Sequence, residues 1–276
     1  MALPTWHPHP DVWLLLGTLT VAYLIAVRRH ERRTGHATTP RQRRMFLGGM
    51  GLLALASEWP MHDLAEGYLY AAHMVQHMIF TLIAAPLLVA GTPAWMLRAV
   101  LRPRWAFRAF RFVTRPLLAL LFFNAVLLFT HWPAVVEASV RGELTHFSLH
   151  VLIVVSAVVM WWPVVSPLPE LPPLAPPGQM LYLFFQSLAP TIPASFLTFG
   201  SEPLYAVYAS FPRIWGISAL TDQLVAGLIM KLVGGIILWI VIAVVFFRWA
   251  NREQNEGWDA LRYTGVEREI RAEMSR

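Results

Sequence analysis

Long apolar runs separated by clusters of arginine constrain this chain more than any other feature. The hydrocarbon core of a bilayer is about 30 Å thick, so a helical crossing needs roughly 20 mostly apolar residues. Seven runs approach that length: Asp11 to Val27, Met45 to about Trp59, Tyr68 to Ala90, Pro116 to about Trp132, about Thr145 to Val165, Met180 to about Leu197, and about Thr221 to Trp249. Only 14% of the 276 residues are charged and 57% are hydrophobic, whereas globular chains carry roughly 25% charged residues. A soluble fold is excluded. Disorder and a collagen-like repeat are excluded too, because the 21 Pro and 16 Gly are scattered through apolar runs rather than gathered in polar or periodic tracts.

The net charge of +6 would suit nucleic acid, but its distribution points to a membrane. Of 22 Lys and Arg, 19 lie in Arg28–Arg44, Arg98–Arg115 and Arg248–Arg276, leaving Arg141, Arg213 and Lys231 elsewhere. These clusters follow the first, third and seventh runs. By the positive-inside rule they are cytoplasmic, which puts the N-terminus outside. The expected architecture is therefore all-α: a polytopic integral membrane protein with seven transmembrane helices in residues 1–250 and a charged cytoplasmic tail in residues 251–276. The first run lacks a basic region ahead of it and a small-residue cleavage site behind it, so it is expected to be a retained anchor.

Prolines and glycines refine this expectation. Pro86 predicts a kink or an early stop in the third run, and Pro190 and Pro193 interrupt the sixth. Gly48, Gly49 and Gly51 predict close packing of the second. Ser166 to Gly178, with six prolines, is expected to be a stiff non-helical connection.

The chain has no cysteine, so a thiolate metal site is impossible and any metal must be held by His, Met, carboxylate or backbone. Of ten histidines, only His30 and His36 fall on the cytoplasmic side, in an arginine-rich loop. His7, His9, His62, His73, His77, His131, His146 and His150 fall in outer loops or outer half-helices. His73 with His77, and His146 with His150, are four residues apart, so each pair shares a helix face about 6 Å apart along the axis. Imidazoles within a membrane face the bundle, where they bind metal, relay protons or hydrogen-bond a neighbouring helix. Met74 and Met78 repeat the spacing one position round, and Met61 and Asp63 flank His62. A His and Met set in a thiol-free chain selects Cu(I), while packing is the other role open to these methionines. His7 and His9 form either a metal-capture arm or a solvated terminus. Asp222 either caps its own helix or orients or ligates at the metal. Lys231, deep in the seventh run, requires a partner, for which Asn124 is one candidate. Glu58 and Glu66 bracket an outer loop dense in ligand-type residues, for which a solvated state is the alternative.

Several of these segments resemble one family. Ser57-Glu58-Trp59-Pro60-Met61-His62-Asp63, then His73-Met74-Val75-Gln76-His77-Met78 and Ala85-Pro86-Leu87-Leu88, are similar to the CtaG-type cytochrome c oxidase assembly factors of bacteria. Thr130-His131-Trp132-Pro133, the His146 and His150 pair before Trp161-Trp162-Pro163, and Asp222-Gln223 with Ala226-Gly227 and Ile229-Met230 resemble its later motifs. The resemblance covers nearly all seven runs. It implies a multi-pass protein of the bacterial plasma membrane that helps mature the copper centres of a heme-copper oxidase and is not itself an enzyme. Lys231 departs from the pattern, where an apolar residue would follow the methionine. A single-span copper chaperone group shares the family's name but uses cysteines, so it does not apply.

The first expectation is thus a copper-binding assembly factor, with Cu(I) at His73, His77, His146 and His150, helped by His131, His62 or Asp222. Met74, Met78, Met61, Asp63, His7, His9 and Met230 would be accessory. Its partners would be oxidase subunits, periplasmic copper chaperones and membrane lipid, with a homodimer also open and no nucleic acid. The alternatives are a b-type heme protein using transmembrane histidines as axial ligands, and a metal transporter or channel, for which the apolar inner halves of the third and fifth runs offer no path.

Overall fold

A computed structural model describes residues 6–274, with the side chains of 256–270 and 272 excepted. The last two residues of the expected tail, and those side chains, lie outside the described residues. The described residues are almost entirely helical, with no strand. In chain order the helices are α1 (Pro10–Thr34), α2 (Pro40–Ala56), α3 (Met61–Gly67) and α4 (Tyr70–Gly91). After these come α5 (Ala94–Val100), α6 (Arg104–Val113), α7 (Pro116–Thr130), α8 (Pro133–Arg141) and α9 (Glu143–Val165). The chain continues with α10 (Pro176–Phe199) and α11 (Ala206–Ala209). Finally α12 comprises Ala219–Leu228, a π-helical turn at Ile229–Val233, and Gly234–Met274.

Local chemistry sets the boundaries. Proline opens α1, α2, α7, α8 and α10, at the position where its missing N–H has no helical partner to lose. Thr39 and Gln42 form a reciprocal capping box at the start of α2, and Gly35, at φ 70°, ends α1 in the left-handed conformation. The proline-rich connection is shorter than expected: it stops at Ala175, because Pro176 and Pro177 serve as the first turn of α10. In α10 the helix breaks at Ala189 and Pro190 and resumes at Thr191.

Pro86 does not end α4, which continues to Gly91. The six residues Ile79–Ala84 form a π-helical turn just before Pro86. A wider turn moves the preceding carbonyls away from the proline ring, whose clash lies at the carbonyl four residues back. The Thr81 carbonyl, freed from ordinary helical pairing, accepts from Trp161 Nε1 at 2.7 Å.

The polarity of the bundle is that of a membrane protein. Leu14, Val21 and Ile25 on α1, and Leu232, Ile236, Trp239, Ile240 and Phe247 on α12, are exposed. Gln76, Ser156, Gln186, Asp222 and Gln223 are buried. Lipid solvates such apolar faces, whereas each polar group inside must find a partner. Asn124 and Gln186 pair through their amides at 3.1 Å and 3.4 Å. Asn124 is therefore not a partner for Lys231, which is exposed on the surface of α12.

Among the described residues five helices are long and apolar enough to cross a membrane: α1, α4, α9, α10 and the Ala219–Asn255 part of α12. A sixth arises if α6 and α7, bent by 78°, are one span. The remaining run, expected at Met45 to Trp59, falls on α2, whose 17 residues are about 25 Å long. Gly48 and Gly51 on α2 face open space, and of the three glycines only Gly49 meets α4, at Leu88. The closer approach is made from the other side. A Cβ on Gly91 of α4 would lie 2.3 Å from the backbone nitrogen of Phe46, and the Gly91 carbonyl accepts from the Tyr23 hydroxyl at 3.1 Å.

This close crossing is testable. Gly91→Ala forces the helices apart and is expected to destabilise the protein by about 1–3 kcal/mol. Gly48→Ala, with nothing within 4 Å, should leave stability unchanged or slightly raised. Thermal melting of the two variants in detergent checks the difference.

Candidate metal centre

Seven imidazoles meet at one end of the bundle. α4 contributes His73 and His77, with ring centroids 4.2 Å apart, and α9 contributes His146 and His150, 4.1 Å apart. The pairs face each other, His73 to His150 at 5.6 Å and His77 to His150 at 5.3 Å. His131, at the end of α7, lies 6.0 Å from His77. His62 on α3 is 5.4 Å from His146, and His9, just before α1, is 4.3 Å from His62. Four-residue spacing accounts for each pair, but the meeting of the pairs depends on how α3, α4, α7 and α9 pack.

The helix carrying His73 and His77 is fixed from a distance in sequence. Leu69, at the N-terminus of α4, offers no side-chain cap. Asp222 supplies one from α12, accepting from the backbone N–H of Tyr70 at 2.8 Å and of Ala71 at 2.9 Å. Of the roles expected for Asp222, the cap on its own helix is corrected: that first turn is capped by Ser218 through Thr221 N–H at 3.1 Å, while Asp222 belongs to neither group of converging ligand atoms among the described residues. Tyr205 donates to the His131 carbonyl at 2.9 Å and Tyr208 to the Ala65 carbonyl at 3.0 Å, tying the 200–218 segment over this end.

Other hydrogen bonds orient the rings. His131 Nδ1 is 2.7 Å from the Leu127 carbonyl; a carbonyl only accepts, so Nδ1 carries the proton and Nε2 the lone pair. Ser139 Oγ lies 3.1 Å from His146 Nδ1. Gln76 Nε2 donates to the Ala56 carbonyl at 2.9 Å and lies 2.9 Å from His62 Nδ1. An amide nitrogen can only donate, so the His62 proton sits on Nε2, 3.2 Å from Glu66 Oε1. The same carboxylate oxygen lies 3.0 Å from His146 Nε2, though without hydrogen-bond alignment. Burial pushes the Glu66 carboxyl up, but the His62 hydrogen bond and the neighbouring His146 and His9 rings outweigh it and hold it at about 2. Glu66 is therefore an anion at neutral pH.

After these bonds are counted, six imidazole nitrogens remain buried without a hydrogen-bond partner: His9 Nε2, His73 Nδ1, His77 Nε2, His131 Nε2, His146 Nε2 and His150 Nε2. Each unsatisfied buried polar group costs about 1–3 kcal/mol. A metal ion is the ligand that satisfies several converging lone pairs at once. Among the described residues two triads have ligand atoms within 4.8 Å of one another: His73, His77 and His150, and His62, Glu66 and His146.

The accessory residues fall into separate groups. Met74, Met78 and Met230 pack in the apolar core with Tyr70, Leu82 and Leu238, because one position round a helix is a turn of about 100°. Met61 opens α3 and is half-buried. Asp63 accepts from His7 at 2.7 Å and thereby holds the N-terminal arm against the site. His30 and His36 lie away from the cluster, His30 stacked on Trp95 at 4.0 Å and His36 bonded to Thr34. Glu66 was not among the expected ligands, although its place four residues after His62, on the same helix face, is a visible signal. Gln76 and Ser139 carry no such signal, since each acts only through the ring that it orients.

The family description "Cytochrome c oxidase caa3 assembly factor (Caa3_CtaG)" matches residues 21–252. The chain belongs to that family. The match spans α2 to α11 in full with most of α1 and α12, so it includes every clustered histidine except His9. It bears out the resemblance seen in the motifs, and it associates the chain with assembly of cytochrome c oxidase, which suggests a non-catalytic role. No curated protein and no solved structure matches the chain significantly.

The trans cap makes Asp222 a positioning residue. Asp222→Ala is expected to destabilise the protein by about 0.5–2 kcal/mol, as loss of a helix cap does. Asp222→Asn, which keeps one acceptor oxygen, should lose less. Melting temperatures in detergent rank the two.

Proposed function

We propose that this protein binds copper as Cu(I) through the clustered histidines and supports maturation of a copper centre in a heme-copper cytochrome c oxidase. In this reading it crosses the bacterial plasma membrane seven times, with the segment before α1 outside and the tail after α12 cytoplasmic. The five long apolar helices, the bent α6 and α7 pair, and α2 supply the seven crossings, and the three arginine clusters set the orientation. The histidine cluster then faces the outside, where oxidase subunits receive copper and periplasmic copper chaperones can supply it. A homodimer is compatible with this role.

The observation that carries the reading is the convergence of buried imidazole nitrogens that have no partner in the protein. Imidazole donors suit copper among several transition metals, and the oxidase named in the family's description favours copper among them. Copper would be taken up and released by exchange of ligands. His73, His77 and His150 would hold the ion, Asp222 would fix α4 beneath two of them, and Leu127 and Ser139 would orient the rings of His131 and His146.

Neither alternative fits as well. A heme between α4 and α9 would need room around its axial ligands, but His77 lies 4.2 Å from His73 and 5.3 Å from His150, within the space of a macrocycle. A channel would need a polar path beyond the cluster, where Phe80, Leu82, Ala84, Ile153 and Ala157 are buried.

The decisive experiment is Cu(I) content and affinity of detergent-purified protein, by elemental analysis and chelator competition. The wild type is expected to bind copper, and His73→Ala with His77→Ala to lose its tight binding. Cells carrying the double variant should assemble oxidase with lowered copper content. Absence of copper from the wild type after reductive loading would overturn the reading.

A further inference from the structure

The two triads differ in chemistry and in access. His62, Glu66, His146 and His150 line a cleft of about 980 Å³ beside α1, together with His7 and His9 of the N-terminal arm. His73 and His77 do not line it. Only His150 belongs both to the wall of the cleft and to the all-histidine triad, and its ring is 4.1 Å from that of His146.

We propose that the cluster is two Cu(I) sites in series: a loading site at His62, Glu66 and His146, open to the cleft, and a holding site at His73, His77 and His150. The proposal rests on the copper reading above and deepens it. At the loading site the Glu66 oxygen already lies 3.0 Å and 3.2 Å from the two imidazole nitrogens. An ion must break the His62–Glu66 hydrogen bond to bind there, so it is held loosely, while the carboxylate charge attracts it; His146 Nε2 has no such bond to lose. At the holding site the nitrogens of His73, His77 and His150 have no protein partner to lose, so the same ion is held more tightly. The gradient of affinity runs away from the cleft.

Transfer is an exchange of ligands at constant oxidation state. Bonds from copper to Glu66 oxygen and to the His62 and His146 nitrogens break as bonds to His150, His73 and His77 form. No electron moves, and each imidazole donates a lone pair; His62 does so in the tautomer that carries its proton on Nδ1, with the Gln76 amide turned so that Oε1 accepts it, and reverts when the ion leaves.

The test is anaerobic titration of the full-length, detergent-purified protein with Cu(I) against a chromogenic chelator, followed by stopped-flow loading. Two equivalents of unequal affinity are expected in the wild type. Glu66→Gln should weaken the looser equivalent about 10- to 100-fold, the range for a perturbed metal site, and slow filling of the tighter one. His73→Ala with His77→Ala should abolish the tighter equivalent and leave the looser. One equivalent in the wild type, or two with number and rate unchanged in Glu66→Gln, would overturn the series arrangement while leaving copper binding intact. No copper in the wild type would instead overturn the functional reading itself. If the variants fail to purify, X-ray absorption of the wild type decides: fewer imidazoles per copper at two equivalents than at one supports the proposal, and an unchanged shell overturns it.

Discussion

Inside a bilayer a polar group has no water to turn to, and the architecture of this bundle follows from where each such group finds a partner. The Asp222 carboxylate caps α4 from α12, the amides of Asn124 and Gln186 close on each other between α7 and α10, and Trp161 of α9 takes up the carbonyl that the π-helical turn of α4 leaves free. Each of these bonds joins helices far apart in sequence. Together they settle the relative height and rotation of α4, α7, α9, α10 and α12, for which apolar packing alone, against equally apolar lipid, gives little preference. Among the described residues the exceptions to this satisfaction concentrate in the histidine cluster, whose nitrogens are six of the eleven buried side-chain atoms without a partner.

The all-helical, apolar-span character of the fold was legible in the sequence because span-length apolar runs are a one-dimensional signal. The pairs His73 with His77 and His146 with His150 were legible for the same reason, as a period of four needs no knowledge of tertiary structure. What escaped were relations across helices. Sequence position suits Asp222 equally to a cap on its own helix or to a place at the metal, whereas its oxygens turn to Tyr70 and Ala71, 151 and more residues away. Asn124 was offered to Lys231 on grounds of depth, and packing gave it Gln186 instead. Met74 and Met78 share the histidine spacing but point into the core, since spacing defines a face without saying which neighbour it meets.

Glu66 shows a different gap. The four-residue step from His62 was present in the sequence, but α3 is only seven residues long and lies in what reads as a polar loop. A short helix lacks the apolar periodicity that would announce it, so its one functional face was invisible until α3 was seen packed against α4. Membership of the oxidase assembly family supplies the biological setting, and the geometry supplies the donor atoms that such a setting requires.

The π-helical turn at Ile79–Ala84 has a consequence for how α4 is divided. One residue more than an α-helix would need rotates everything after it by about 100° relative to everything before. Above the turn the helix presents His73 and His77 towards α9; below it, Leu88 meets Gly49 of α2. An unbroken α-helix could not hold both faces in place at once. The inserted residue thus acts as a phase shift, uncoupling the register of the metal-facing half from that of the half that anchors it, so that sequence on one side can vary without turning the histidines away.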